Sequence, residues 1–536
     1  MSTGWKLRAR SVLIDELWLA AIGAVWLGAI VRLYFVLSID FPVNDGGMFY
    51  AMVRDIQSAH YRLPETTSYN YSEIPFAYPP LTFYVIALLN DAFGVSLLTL
   101  FRVVPLVGSL LTIPAFFLLS RSLLESRRAV VFSTFAFALI PRAFDWQISG
   151  GGLTRAWGLL FAILAIHQSV RLLVLGRQNA WPAIGILVAL CALSHPEMPI
   201  YFGISFVVLL VVSRGGWPAM TYAAKAGSLS IVLASPWWLT VVLRDGVTPF
   251  TNAGGAGATA WLLGLKLFDP EVLSEPFFPT HLALGFLGAI LLLGYRKPLL
   301  PVWLACLFIF EPRKAPTDAT VVLAMLEGFA VSDFLLPAVA GLRTKPSEVR
   351  NRVAIYALVG LWIAGAVASP ASGASPLASV STDSRATAAW VAANTDPAAV
   401  LLIVTDQPWA FDSVSEWFPV LAKRRSAGTA QGFEWFGGEA FTQRQSDHED
   451  LQSCADRDAI CLETWARRKN VAFTHVFVTS RLAFAIKETD DDCCVALATN
   501  LKRDSRYKLV YSGPAGEVFE RLPGPFVALG SPKGGY

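Results

Sequence analysis

Charge is scarce in this 536-residue chain: Asp, Glu, Lys and Arg make up 15% of it, against about 25% in an ordinary soluble protein. Cysteine, histidine and methionine are scarce too, with six of each. The formal net charge of +3 provides no basic excess, which excludes a nucleic-acid-binding protein. No G-x-G-x-x-G stretch and no Walker loop occurs, so a Rossmann or P-loop site for a nucleotide or nucleotide-sugar has no support. There is no internal repeat. What fills the chain is apolar: 54% hydrophobic residues and a mean hydropathy of +0.50, the composition of a membrane protein.

The scarcity of charge is uneven. Residues 1–376 hold 26 Lys/Arg and 20 Asp/Glu, whereas the much shorter stretch 377–536 holds 17 and 20. The first region (1–376) reads as a bilayer-embedded domain and the second (377–536) as a soluble one. Apolar runs that approach the roughly 20 residues of a span fall near 17–37, 97–119, 129–141, 153–174, 181–194, 197–213, 221–243, 282–295, 298–310, 318–339 and 352–369. The fold expected is therefore a polytopic α-helical membrane domain of about 11 spans, followed by an extracytoplasmic α/β domain. Ten to thirteen spans is the range the runs allow.

Basic residues set the orientation. Lys6, Arg8 and Arg10 precede the first span and put the N-terminus in the cytoplasm. Later inner connections then carry Arg121, Arg127 and Arg128; Arg171 and Arg177; Arg214; Arg296 and Lys297; and Arg343, Lys345, Arg350 and Arg352. The first span is too long for a signal peptide and is expected to stay as an anchor. Leu81–Phe93 breaks this pattern if it spans, so it is expected to lie in the headgroup layer. The Gly-rich stretch Ala253–Gly257 marks a mobile or re-entrant loop.

In the second region Ser384–Asn394 reads as a helix, and Val400–Thr405, Phe473–Thr479 and Tyr507–Tyr511 read as strands, an α/β pattern. Cys454, Cys461, Cys493 and Cys494 all fall here and permit three disulfide pairings, which suits a domain outside the cytoplasm. A zinc site is the rival, weakened by the lack of a C-x-x-C motif. Cys191 and Cys306 lie in apolar runs as small core residues.

Ionisable groups in a membrane domain are costly, so their placement is informative. Asp45, Asp145, the pair His195 and Glu197, and Glu311 with Arg313 and Lys314 all sit at ends of spans on one side. Together they are positioned to line one outward-opening cavity. Plainer roles compete: Asp45 as a cap on the helix starting near Gly46, Asp145 and Arg155 as a solvated loop, His195 as a helix-end residue, Arg313 and Lys314 as headgroup ligands. The aromatic stretch Phe433–Gly438 reads as packing in preference to stacking on a sugar ring.

The order of these pieces resembles the GT-C superfamily of integral-membrane glycosyltransferases: an acidic residue soon after the first span (Asp45) and a Tyr-Pro-Pro segment (Tyr78-Pro79-Pro80) before the second. The layout is similar to the catalytic subunit of oligosaccharyltransferases, and Trp390–Pro397 looks like the entry to that family's soluble domain. The family's Trp-Trp-Asp-Tyr-Gly signature is absent, with Thr405–Trp409 near its place, and Gln147 stands where a second acid would follow Asp145. The resemblance implies a polyprenyl-phosphate sugar donor, a glycan, lipid or protein acceptor, membrane lipids as surroundings, and a bacterial or archaeal cell membrane as location. Asp45 is then the catalytic base, and Arg313, Lys314 and Arg142 bind the donor phosphate. Asp145, His195 and Glu197 are expected at the substrate, or with Asp45 around a divalent cation such as Mg²⁺ or Mn²⁺. The competing function is a lipid-linked glycan transporter or flippase, for which Glu327 and Asp333 inside one span are the starting point. The structural alternative for Glu327 is a sealed pair with an arginine.

Overall fold

The structure is a computed structural model, and it describes residues 3–213, 216–255, 267–341, 348–372, 375–480 and 493–522. Arg214, Ala256, Gly257, Arg343 and Lys345 lie outside the described residues. Every apolar run becomes helix. Helix α1 (Thr3–Leu37) leads to α2 (Gly47–Ser58), the two-residue strands β1 (Thr66–Thr67) and β2 (Ile74–Pro75), and α3 (Leu81–Phe93). Then come α4 (Leu97–Leu123), α5 (Arg127–Leu139), α6 (Gly152–Leu173), α7 (Trp181–Ser194), α8 (Met198–Val212), α9 (Trp217–Asp245) and α10 (Thr248–Gly255). The helical part closes with α11 (Thr280–Gly294), α12 (Leu299–Phe310), α13 (Ala315–Asp318), α14 (Thr320–Phe329), α15 (Leu336–Gly341) and α16 (Glu348–Val367).

Among the described residues five stretches are long and apolar enough to cross a membrane: Leu17–Leu37 of α1, α4, α6, α9 and Ala315–Gly341. The others are shorter apolar helices, Leu81–Phe93 included. Local sequence sets the ends. Ser96 and Ser126 cap α4 and α5 by accepting the N–H groups of Thr99 and Ala129. Prolines occupy the first turns of α7, α8 and α9, where a missing N–H costs nothing. Between α14 and α15 the helix widens into a π turn at Ala330–Leu335.

Two buried charges in this bundle meet polar partners. Arg32 is fully buried and donates to Ser109 Oγ (3.0 Å) and to the carbonyls of Gly28 (3.1 Å) and Ala138 (2.8 Å). Glu327 is also fully buried, but its partner is His281 of α11, whose Nδ1 lies 2.9 Å from Glu327 Oε2. The expected arginine is replaced by a histidine that stacks on Trp362, with centroids 5.2 Å apart.

The C-terminal part begins with α17 (Thr382–Asn394), capped by Ser381. Strand β3 (Val400–Val404), α18 (Ser413–Ala422), β4 (Arg425–Ser426), α19 (Gly438–Gln452), α20 (Ala459–Arg468), β5 (His475–Thr479), α21 (Val495–Arg503), β6 (Tyr507–Gly513) and β7 (Gly516–Arg521) follow. The sheet order is β4-β3-β5-β7-β6. Strand β3 runs parallel to both β4 and β5, while β5/β7 and β6/β7 are antiparallel. The three expected strands are present, and β4 and β7 are additional. The four cysteines pair as Cys454–Cys461 and Cys493–Cys494.

Candidate active site

A cavity of about 470 Å³ opens where the segments after α1, α5, α7 and α12 meet residues 409–448 of the C-terminal part. Asp45, Arg142, His195, Glu197, Arg313 and Lys314 all line it. Four separate loops of the helical part thus converge on one cavity, as their position at the ends of spans suggested.

Asp45 is placed by glycines. Gly46 has φ of +129°, a conformation open to glycine and strained for other residues. The run Gly150-Gly151-Gly152 lets the start of α6 come against it: a Cβ on Gly151 would stand 2.4 Å from Asp45 Oδ2. In that space Asp45 Oδ1 accepts the N–H of Gly151 (2.8 Å) and Oδ2 accepts Arg155 Nη2 (2.6 Å). Arg155 also donates to Ser149 Oγ (2.8 Å) and the Trp146 carbonyl (3.2 Å), with its guanidinium over the Trp146 ring. Asp45 therefore does not cap α2. It faces the amide end of α6, where the helix dipole favours an anion.

The carboxylate that does reach α2 is Glu416, on α18. Both its oxygens lie 3.0 Å from Gly46 N. Burial, and then the neighbouring Asp45 charge, push Glu416 above the ordinary carboxylate range, while the N–H groups of Gly46 and Met48 pull the other way. Glu416 carries no motif. Its one trace in the sequence is an acid lodged in the apolar run Val414–Ala422.

Across the cavity Glu197 accepts from Lys314 Nζ at 3.0 Å and lies 3.9 Å from Arg313 Nη1. Burial works against its ionised form, but Lys314 and Arg313 outweigh it and hold the carboxyl down at about 2. His195 is buried, its Nδ1 accepts the Glu197 N–H (3.3 Å), and burial followed by Lys314 drives its imidazole well below its ordinary value. It is a neutral ring, set edge-on to Tyr78.

Asp145 is not part of the lining and is no solvated loop residue. It is fully buried, accepts from Ser274 Oγ (2.8 Å) and the Trp146 N–H (2.6 Å), and burial raises it to about 6. The set Asp45, Asp145, His195 and Glu197 does not converge on a common point, since each group is committed to its own partners. Among the described residues no group of three or more His, Cys, Asp or Glu is placed to hold a metal ion. Gln147 does line the cavity, and both its buried amide atoms lack a hydrogen-bond partner.

The aromatic segments meet at the same place. Tyr78 donates to or accepts from Thr154 Oγ1 (3.0 Å) and packs edge-on against Phe49 and Trp435. Trp435 is 3% exposed, and it and Glu434 line the cavity.

A scan against protein-family profiles finds no match, and neither does a search of curated protein sequences. Solved structures do match. The archaeal oligosaccharyltransferase AglB of Archaeoglobus fulgidus, in complex with an inhibitory peptide and a dolichol-phosphate, superposes with a TM-score of 0.52 at 14% identity, over 86% of this chain and 69% of AglB. The same archaeon's oligosaccharyltransferase complexed with Zn and sulfate gives 0.51 at 14% identity, over 85% and 68%. ArnT of Cupriavidus metallidurans bound to undecaprenyl phosphate gives 0.51 at 14% identity, over 95% of this chain and 99% of ArnT. These are GT-C glycosyltransferases, and the chain shares their fold.

Proposed function

We propose that the chain is a membrane glycosyltransferase that moves a sugar from a polyprenyl-phosphate donor to an acceptor at the outer face, with inversion at the anomeric carbon. The observation that carries this reading is the cavity itself, with a carboxylate fixed at one end and a cluster of cations at the other. Asp45 takes the proton of the acceptor hydroxyl as its oxygen bonds to the anomeric carbon. The bond from that carbon to the phosphate oxygen breaks on the opposite face, and polyprenyl phosphate leaves with the electron pair. Arg313 and Lys314 meet the charge that develops on the phosphate, and Arg142, whose guanidinium lies over the Trp146 ring, is a further cation of the lining. Arg313 is suited to two phosphate oxygens at once through its planar fork.

ArnT and AglB carry polyprenyl phosphates in their solved complexes, which supports the donor class. The two cysteine pairs of the C-terminal part support its location outside the cytoplasm. Among the described residues a divalent cation finds no ready ligand set, so no step is routed through one. Transport has no comparable support: Glu327 is sealed against His281 under Trp362.

The test is turnover of a panel of synthetic polyprenyl-phosphate sugars by the purified protein in nanodiscs, with and without EDTA. Release of polyprenyl phosphate by at least one donor is expected. Absence of binding across the panel would reject the reading and return attention to Glu327.

A further inference from the structure

We infer that Glu416 is a positioning residue for Asp45, so that the C-terminal part fixes the segment on which the candidate base is carried. The inference rests on the catalytic reading of Asp45.

Four side-chain hydrogen bonds tie residues 42–46 to residues 337 to 373 positions later in the chain. Ser379 Oγ donates to the Pro42 carbonyl (2.9 Å), and Asn44 Nδ2 donates to the Ala410 carbonyl (3.1 Å). Trp417 Nε1 donates to the Asn44 carbonyl (2.9 Å), and Gly46 N donates to the Glu416 carboxylate. A backbone bond from Asn44 N to the Ala378 carbonyl (2.6 Å) runs beside them.

Glu416 differs from the rest of this grip. It is the only charged group among these partners, it is buried, and it holds the amide immediately after Asp45. Gly46 and Gly47 follow Asp45 directly, and glycine pairs restrict the backbone least. The same glycines are what admit α18: a Cβ on Gly47 would stand 2.6 Å from the Glu416 carbonyl oxygen. Tyr69 then donates its hydroxyl to that carbonyl (2.6 Å) and holds α18 from the other side. Without the Glu416 carboxylate, Asp45 is anchored on its side-chain side by Gly151 and Arg155, but the amide that follows it loses its partner. A misplacement of about 1 Å costs on the order of 10²-fold in rate. The Glu416 oxygens face backbone amides, which suits a strut and leaves proton transfer to Asp45.

The experiment compares full-length Glu416→Ala, Glu416→Gln and Asp45→Asn in nanodiscs. It reads turnover of a polyprenyl-phosphate sugar that the parent uses, donor KM, and hydrogen exchange of the amides at 46–48. The expected result is a kcat loss of roughly 10²-fold for Glu416→Ala, with donor KM held and exchange at 46–48 faster. Glu416→Gln, whose amide oxygen still accepts, is expected to recover most of the rate, and it carries the test if the alanine variant does not fold. A Glu416→Gln protein as inactive as Asp45→Asn would overturn the inference, since that marks a proton carrier. So would parental turnover by Glu416→Ala while Asp45→Asn is dead. If Asp45→Asn itself turns over normally, the base assignment falls, and exchange at 46–48 alone decides the grip: unchanged exchange in Glu416→Ala overturns it.

Discussion

At one end of the cavity Asp45 is held by a backbone amide, by an arginine wedged over Trp146, and by glycines that leave no room for a side chain. At the other end Glu197 is held only by side chains, Lys314 at 3.0 Å and Arg313 at 3.9 Å, and Arg313 is 39% exposed. A backbone amide cannot swap its position, whereas a partly exposed side-chain cation such as Arg313 can change rotamer. The first arrangement suits a base whose position must not vary. The second suits cations that turn from a resident carboxylate to an arriving phosphate.

The contrast is broken most severely at Asp45. Under the proposed function Asp45→Asn keeps the shape and removes the proton acceptor, and turnover is expected to fall by roughly 10²–10⁴-fold with donor binding retained in a filter or fluorescence assay. Arg313→Ala or Lys314→Ala should cost about 10²-fold in kcat, and the pair together should weaken donor binding as well. Gly151→Ala drives a methyl group against Asp45 Oδ2 and Arg155 Nη2. A loss of about 1–3 kcal/mol is expected, read as a lower Tm, with activity reduced alongside.

The smallest effects are in pH dependence. Glu197 is held at about 2, so its contribution to stability is present above the ordinary carboxylate pKa of about 4 and is lost as pH falls through 2. Asp145, raised to about 6, acts in the opposite sense: the protonated form is favoured in the fold, and stability is lost as pH rises from about 4 through 6. A tenfold difference in proton affinity between the folded and unfolded chain corresponds to about 1.4 kcal/mol. Asp145→Asn should therefore flatten the slope of Tm against pH between 4 and 6, and Glu197→Gln should flatten it below 4. An unchanged Tm profile in Asp145→Asn would show that burial does not set its protonation.

The ionisable lining from the helical part was legible because ionisable residues at the ends of apolar runs are rare and costly. Asp45, His195, Glu197, Arg313 and Lys314 stand out against such a background. Glu416 does not, because in the C-terminal part another glutamate costs nothing visible, and its burial is created only when α18 docks on residues 42–47. Asp145 had the right flag and the wrong location, since sequence cannot tell a residue lining a cavity from one directly behind it. Strand β7 was missed although Gly513-Pro514-Ala515-Gly516 is a fair turn signal after Tyr507–Tyr511. Strand β4, two residues long, leaves no periodicity to read.

The bond from Gly46 to Glu416 spans 370 residues of chain. At a synthesis rate of about 5–20 residues per second, the loop bearing Asp45 waits on the order of 20–70 s between leaving the ribosome and meeting its partner. During that interval α1, α4 and α6 can insert and pack, but the cavity lacks one wall and its carboxylate lacks its strut. Under the proposed function, a nascent or truncated chain is thus inserted before it is competent, and competence arrives with the last third of the protein.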